Sequence, residues 1–265
     1  MIRRVAAVQL NSQDDEAQNF SRVRELAHRA RERGAELIVF PENSLYEGPG
    51  TKERRHPPEE WQPRFAELAR ELGCCLVPGS VRVEAGDGRA HNTLWAFGPD
   101  GALLGSYAKI HLFDVNVPNG PVEHESAAVA PGSAPVCVEL PGFGTVGLTV
   151  CYDLRFPELF RALVDQGAKT ILVPASFALG TGKDHWLTLL KARAIENQVF
   201  VIAPNQYGSK LPRRPKCGRT CVVDPWGTVL GLAREVDEDV VVAELDFEHQ
   251  ARIRSSLPCL DHRRL

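Results

Sequence analysis

The stretch Gly147-Leu-Thr-Val-Cys151-Tyr-Asp-Leu-Arg-Phe-Pro-Glu158 is the most informative part of this chain of 265 residues. It begins within an apolar run that predicts a buried strand, and Pro157 with Glu158 marks the start of a helix. Cys151 therefore lies between a strand end and a helix N-terminus, where free backbone N–H groups favour a reactive thiolate. The residue alone is also compatible with a small buried apolar side chain, because most lone cysteines behave in that way.

Composition and charge narrow the class of protein. Apolar residues make up 43% of the chain and charged residues 25%, with a net charge of −3, as in ordinary globular domains. The chain lacks the broad basic excess that is typical of nucleic-acid-binding proteins. No apolar run reaches the ~20 residues that span a bilayer. Gln9 and Asn11 interrupt the apolar N-terminus too early for a signal peptide. Seven cysteines without a regular framework indicate reduced thiols, so we expect a cytoplasmic protein with neither a nucleic acid nor a membrane partner.

Strand-like and helix-like segments alternate along the chain, and two hairpin signals interrupt the alternation. Hairpins are predicted over 91–107 and 222–230, around the turns 98–101 and 224–227. This mixture favours a layered α/β fold with mixed sheets, and the absence of a linker or repeat favours one domain over residues 1–265. Further strands are predicted over 4–10, 36–40, 75–78, 136–140, 145–150, 169–173, 200–203 and 240–245, and helices include 157–166, 184–198 and 247–257. The polar stretch 109–133 has little periodicity and is typical of a functional loop.

Three chemically useful side chains follow predicted buried strands: Glu42, Lys109 and Cys151. In open α/β sheets, ligand crevices lie at the carboxyl ends of the strands. A base, an ammonium and a thiol together support covalent acyl transfer, with the cation and backbone N–H groups holding an oxyanion. Taken singly, Glu42 is compatible with a loop carboxylate and Lys109 with a solvated lysine, so the set carries the prediction.

Six ordered segments extend this pattern along nearly the whole chain, and on them the sequence resembles the nitrilase superfamily of carbon–nitrogen hydrolases. These segments are Phe40-Pro-Glu42, Tyr107-Ala-Lys-Ile-His-Leu-Phe-Asp114, Cys151-Tyr-Asp-Leu-Arg-Phe-Pro-Glu158, Thr181-Gly-Lys-Asp-His-Trp186, Ala192-Arg-Ala-Ile-Glu-Asn-Gln198 and Val223-Asp-Pro-Trp-Gly227. The resemblance implies a four-layer αββα sandwich and a homodimer or higher homo-oligomer. It also implies Glu42 as general base, Lys109 as oxyanion stabiliser and Cys151 as nucleophile, with no metal or organic cofactor.

The resemblance further implies substrate-positioning residues. A second glutamate of the family corresponds to Glu125, which we expect to position substrate and orient Lys109; the alternative is an exposed loop acid. The backbone N–H of Tyr152 is the expected second oxyanion donor. His185 and Lys183 are further candidates, with Lys183 either binding a substrate carboxylate or remaining solvated. The basic segment 204–219 is either part of the pocket mouth or an exposed loop.

The segments are most similar to the branch of omega-amidases and deaminated glutathione amidases. We therefore expect a cysteine-dependent amidase that converts a small linear carboxamide to a carboxylic acid and ammonia through a thioester. A true nitrilase and an N-carbamoyl amidohydrolase are alternatives with the same fold. A Cys–His pair using His111 or His185 is the rival mechanism. A catalytically silent binding protein is the alternative of another class, and the lack of Cys-x-x-Cys disfavours a redox protein.

Overall fold

A computed structural model describes residues 1–116, 122–208 and 215–264. The strands are β1 Ile2–Gln9, β2 Leu37–Val39, β3 Cys75–Val77, β4 Ser80–Glu84, β5 Ala90–Phe97, β6 Leu103–Ala108, β7 Asp114–Asn116, β8 Val122–His124, β9 Val129–Ala130, β10 Val136–Leu140, β11 Gly144–Leu148, β12 Thr170–Leu172, β13 Phe200–Ala203, β14 Tyr207–Gly208, β15 Lys216–Cys217, β16 Cys221–Val223, β17 Val229–Leu232 and β18 Asp239–Asp246. The helices are α1 Glu16–Glu32, α2 Pro58–Leu72, α3 Pro157–Asp165, α4 Leu179–Asn197 and α5 Phe247–Ser256, with short 3-10 helices at Glu125–Ala127 and Cys151–Arg155.

Two large mixed sheets form the centre of the molecule. The first has the strand order β18-β1-β2-β3-β5-β4, with β6 and β9 also paired to β5, and the second has the order β10-β11-β12-β13-β16-β17. Strands β1, β2 and β3 are parallel, as are β11, β12 and β13. Antiparallel strands complete each sheet at its edges. The parallel strands direct their carboxyl ends to a common edge of each sheet.

Three apolar cores separate four layers. The central core joins the inner faces of the two sheets through Val5, Val39, Leu94, Val146, Leu148 and Leu172. Helices α1 and α2 cover the outer face of the first sheet through Val23, Leu26, Phe65 and Leu68. Helices α3 and α4 cover the second sheet through Phe160, Leu163, Trp186 and Leu190. The predicted αββα sandwich is therefore confirmed. None of the helices in the described ranges combines the length and apolar character that crossing a bilayer requires.

Helix α4 and strand β4 differ from the sequence-based prediction. Helix α4 begins at Leu179, five residues before the predicted Asp184. Gly180 and Gly182 are poor helix formers, but Gly182 packs so closely on Cys217 that an added Cβ would lie 2.6 Å from Sγ. Tertiary packing therefore overrides local propensity. Strand β4 was not predicted, and the stretch 109–133 contains β7, β8, β9 and a 3-10 helix in its described part.

Candidate active site

Three strand ends bring the predicted catalytic side chains together. Glu42 follows β2, Lys109 follows β6 and Cys151 follows β11. Lys109 Nζ lies 3.3 Å from Glu42 Oε1, and the Cys151 thiol lies close enough to the Glu42 carboxylate for that charge to raise its pKa. Lys109 is 2% exposed and Glu42 4%, while Cys151 is half-buried. An acid, an ammonium and a thiol thus share one largely water-excluded site.

The backbone at Cys151 is held in an unusual conformation. Its φ is +49°, in the left-handed region, which costs a non-glycine residue about 1–3 kcal/mol unless its surroundings enforce it. The Cys151 N–H donates to the Pro174 carbonyl at 2.9 Å. The Val150 N–H donates to Asp153 Oδ2 at 2.8 Å. These bonds fix the sharp turn that joins the strand to the 3-10 helix and aims the thiol at Glu42.

Asp153 connects the cysteine turn to the lysine segment. Its side chain is fully buried and accepts a hydrogen bond from the Tyr107 hydroxyl at 2.7 Å. The other carboxylate oxygen lies 3.1 Å from the His111 backbone N and 2.7 Å from His111 Nδ1. The His111 ring also stacks on Phe156, with centroids 3.7 Å apart. His111 therefore engages Asp153, which disfavours it as the base for Cys151.

Fixed donors orient the Glu42 carboxylate. Asn92 Nδ2 donates to Glu42 Oε1 at 2.8 Å, and the Ser176 backbone N–H donates to Oε2 at 3.0 Å. Gln206 Nε2 donates to the Glu42 carbonyl at 3.0 Å. Both carboxylate oxygens are thus held in fixed positions near Cys151, as a proton acceptor for this residue requires.

Glu125 belongs to the same buried cluster. It is 3% exposed, so the alternative of an exposed loop acid is wrong. Its Oε2 accepts from Lys109 Nζ at 2.9 Å and from the Phe113 N–H at 2.7 Å. Arg82 Nη1 donates to Oε1 at 3.2 Å. Glu125 thereby fixes the Lys109 ammonium from the side opposite Glu42.

The charge states of the cluster follow from its mutual contacts. Burial alone would lower the pKa of Lys109, but Glu125, Glu42 and Cys151 outweigh it and raise that pKa. Burial would likewise raise the pKa of Glu125, yet Lys109 and Arg82 lower it overall. Burial and the Glu42 charge raise the pKa of the Cys151 thiol well above its usual value. At neutral pH, Lys109 is therefore an ammonium, Glu125 is a carboxylate and the Cys151 thiol is protonated.

The remaining predicted residues lie at the rim. The Tyr152 N–H, in the first turn of the 3-10 helix, has no hydrogen-bond acceptor within residues 1–116, 122–208 and 215–264. Lys183 and His185 are exposed on the early turns of α4, and neither contacts the buried cluster of described residues. His185 Nδ1 lies 3.3 Å from Arg155 Nη1. Of the segment 204–219, residues 209–214 lie outside the described residues.

Arg155 is a half-buried cation in the 3-10 helix that begins at Cys151. Its guanidinium carbon lies 5.3 Å from the centre of the Phe177 ring and 6.0 Å from that of Tyr152. Among the described residues it has no carboxylate partner. An arginine placed over aromatic rings beside the nucleophile is available to an anionic group entering from solvent.

One group of side chains away from this cluster has the composition of a metal site: Glu16, His56 and Glu60. The His56 Nε2 lies 3.3 Å from Glu16 Oε1, while Nδ1 lies 3.0 Å from Glu60 Oε2. The two carboxylates thus occupy opposite nitrogens of the ring, and Arg54 also binds Glu16. This arrangement is better described as an ion-pair cluster than as a set of converging ligands.

Sequence reasoning missed the residues that orient the triad. Asn92 is a polar residue inside an apolar strand, which is a recognisable signal for a buried functional contact. Ser176 and Gln206 follow β12 and β13 by a few residues, so the strand-end argument applied to Glu42 also covers them. Arg82 carried no signal, because β4 had not been assigned.

A family model and several known proteins are similar to this chain over nearly its whole length. Residues 4–255 match the family model described as carbon-nitrogen hydrolase. The deaminated glutathione amidase of Synechocystis sp. is 40% identical over 264 residues, covering 97% of either chain. Omega-amidase NIT2 of Danio rerio is 36% identical over 264 residues, or 98% of this chain and 94% of the relative. The crystal structure of Saccharomyces cerevisiae Nit3, a member of branch 10 of the nitrilase superfamily, superimposes with a TM-score of 0.88 at 29% identity and covers 100% of this chain and 97% of that one.

Proposed function

Because the chain belongs to the carbon–nitrogen hydrolases of the nitrilase superfamily, we propose that it is a cysteine-dependent amidase that converts a small linear carboxamide to a carboxylic acid and ammonia. The observation that carries this proposal is the buried Glu42 carboxylate, which pairs with the Lys109 ammonium at 3.3 Å and raises the pKa of the nearby Cys151 thiol. The Glu42 carboxylate can accept the thiol proton, and the Lys109 ammonium can stabilise the negative charge that develops when the sulfur attacks an amide.

The first half of the reaction forms a thioester. As substrate binds, the thiol proton of Cys151 passes to Glu42 and Sγ attacks the amide carbon. The carbonyl oxygen becomes an oxyanion that is stabilised by the Lys109 ammonium and the Tyr152 N–H. Glu42 then returns the proton to the amide nitrogen, the C–N bond breaks, and ammonia leaves. The acyl group remains on the sulfur as a thioester.

The second half consumes water. Glu42 removes a proton from a water molecule, whose oxygen attacks the thioester carbon. Lys109 and Tyr152 stabilise the second oxyanion as they did the first. The C–S bond breaks, the carboxylic acid is released, and the proton held by Glu42 returns to Cys151. Glu125 holds Lys109 in place throughout, because its carboxylate stays ionised between two cations.

The substrate class follows from charge at the rim. We propose an amide whose acyl part ends in a distant carboxylate. Arg155 supports this, since its guanidinium faces the aromatic rings near Cys151 without a carboxylate partner in the described part of the chain. The names of the relatives, deaminated glutathione amidase and omega-amidase, agree with such substrates. Lys183 and His185 lie further out, where they would meet only the far end of a longer substrate.

A matched pair of amides tests this proposal. Succinamate and butyramide are of similar length, but only succinamate ends in a carboxylate. We expect ammonia release from both, with a higher kcat/KM for succinamate, and no turnover by Cys151→Ala. The nitrile 3-cyanopropanoate and N-carbamoyl-β-alanine serve as controls for the nitrilase and carbamoylase alternatives. Ammonia from the nitrile or carbamoyl compound alone would contradict an amidase, and undiminished activity of Cys151→Ala would contradict the mechanism.

Two wider proposals concern the whole protein. We propose a cytoplasmic location, which the seven unpaired cysteines support because thiols persist in reducing compartments. We also propose a homodimer, on the family resemblance. Sedimentation velocity of the purified protein tests the second, and a monomer at micromolar concentration would contradict it.

A further inference from the structure

A second lysine, half-buried, lies near the triad. Lys216, the first residue of β15, places Nζ 3.2 Å from Glu47 Oε1. The side chains of Lys216 and Glu47 are 16% and 20% exposed. Neither residue belongs to the triad, and removing both charges from water has a cost that this pairing must offset. A buried ion pair at this place calls for an explanation in terms of the site.

Glu47 holds both segments that flank the carboxylate of Glu42. Its Oε2 accepts from Asn43 Nδ2 at 2.9 Å and from Ser176 Oγ at 3.0 Å. Asn43 follows Glu42 directly and has a left-handed φ of +59°. Ser176 donates its backbone N–H to Glu42 Oε2 at 3.0 Å. One carboxylate therefore restrains the backbone of Glu42 and one of the donors that orient its side chain.

Lys216 completes this arrangement and adds charge. Besides Glu47, its ammonium lies 3.5 Å from the Ser176 carbonyl. Burial would lower the pKa of Lys216, but Glu47, Glu42 and Cys151 raise it overall, so the side chain is an ammonium at neutral pH. The attraction between two charges is mutual, so the Lys216 ammonium also favours the charged forms of Glu47, Glu42 and Cys151. Lys216 is thus the second ammonium of this region, after Lys109, and it is connected to Glu42 through the backbone of Ser176.

We propose that the Glu47–Lys216 ion pair is a positioning element for catalysis: it fixes the Ser176 N–H against the Glu42 carboxylate and places a second ammonium in the contact network around Glu42. This inference rests on the amidase mechanism proposed above. The pair acts through Glu42 and Cys151 and touches no reacting atom. Its loss should therefore slow the chemical step for every amide, whatever the charge of the acyl part.

The test compares Glu47→Gln, Lys216→Met and the double variant, using succinamate and butyramide. Each single variant should lower kcat on the order of 10- to 100-fold, the scale of a small misplacement of a catalytic group, with KM close to wild type. The losses should be equal for the two amides and less than additive in the double variant. Arg4→Met with Glu244→Gln, an exposed ion pair between β1 and β18, is the matched control and should keep the wild-type rate.

The pH profile separates this role from a merely structural one. Among the described residues, the charges of Glu42 and Lys109 act most strongly on the Cys151 thiol. Lys216 also interacts with Cys151, and Glu125 binds Lys109. Removing the Lys216 charge makes the thiolate harder to form, so the kcat/KM profile of Lys216→Met should move to higher pH. Lys216→Arg keeps the charge and should keep the profile of wild type. Thermal unfolding identifies variants that fail to fold, and the double variant leaves no unpaired buried charge.

Three results are distinguishable. Wild-type kcat and an unchanged pH profile in a folded double variant would overturn the inference while leaving the amidase intact. A rise in KM for succinamate alone would also overturn it, because Lys216 would then be a substrate contact. An inactive wild-type enzyme, or an active Cys151→Ala variant, would instead overturn the proposed function itself.

Discussion

At the scale of single residues, the Cys151 thiol is protonated in the substrate-free site. The removal of the thiol from water and the nearby charge of the Glu42 carboxylate both raise the pKa of Cys151. An enzyme with this arrangement does not depend on a preformed thiolate. In the proposed mechanism, the thiolate forms when substrate excludes water and the proton moves to Glu42. This distinguishes the site from a cysteine activated by a neighbouring histidine, since His111 is engaged by Asp153.

The Glu42→Gln variant gives a prediction that separates charge from proton transfer. Removing the negative charge lowers the thiol pKa, because the Lys109 ammonium then acts unopposed by Glu42. Alkylation of Cys151 by iodoacetamide at pH 8 should become faster, roughly tenfold for each unit by which the pKa falls, while amide turnover is lost. Mass spectrometry of the Cys151 peptide measures the rate. Slower alkylation than wild type would show that Glu42 acts as a base even on this reagent and that its charge is not dominant.

At the scale of elements, one buried carboxylate connects the lysine and cysteine segments. Asp153 binds the Tyr107 hydroxyl and both the backbone N and the ring of His111, so the end of β6 is fixed to the turn after β11. This contact holds Lys109 at a constant distance from Cys151. Fixing catalytic groups on rigid, cross-connected elements is a source of rate acceleration in itself.

The Tyr107→Phe variant tests this connection. It removes one hydroxyl and keeps the ring in the core, which leaves Asp153 short of a donor in a buried place. We expect a loss of about 1–2 kcal/mol in the free energy of unfolding and a lower kcat. Tyr46→Phe removes a hydroxyl that binds Pro49 at the exposed surface and should change stability by less than about 0.5 kcal/mol. Equal effects in urea denaturation would mean that the network contributes nothing special.

The elements also show how far sequence reasoning extends. Strand ends identified Glu42, Lys109 and Cys151, because periodicity predicts a strand and topology sends its end to a shared edge. The turn at Asp153 and the start of α4 at Leu179 were not predictable, since both depend on contacts between distant segments. Glu47, in particular, lies in an irregular segment whose meaning appears only when Ser176 is folded against it.

At the scale of the whole molecule, the close approach of the two sheets determines the geometry of the edge where the site lies. Strand β6, which Lys109 follows, packs on β10 of the other sheet. At Gly105 an added Cβ would lie 2.1 Å from Val138 Cγ1, so only glycine fits there. The sequence predicted a layered fold, but it contained no signal for this close contact between the layers.

The Gly105→Ala variant tests the packing of the sheets. The methyl group would push the sheets apart and should cost on the order of 1–3 kcal/mol of unfolding free energy. Gly180→Ala is the control, because a Cβ there meets nothing within 4 Å and alanine favours a helix. Thermal unfolding of the two variants should show opposite signs. A neutral Gly105→Ala would mean that the two sheets can separate without loss.

The proposed reaction passes through a thioester at Cys151. This intermediate can be detected directly by mass spectrometry of protein that is quenched in acid during steady-state turnover of succinamate. We expect a succinyl group on the peptide that contains Cys151, formed with one equivalent of ammonia, and no adduct in Cys151→Ala. Ammonia release that continues without any acyl group on this peptide, or with the adduct on another cysteine, would contradict the assignment.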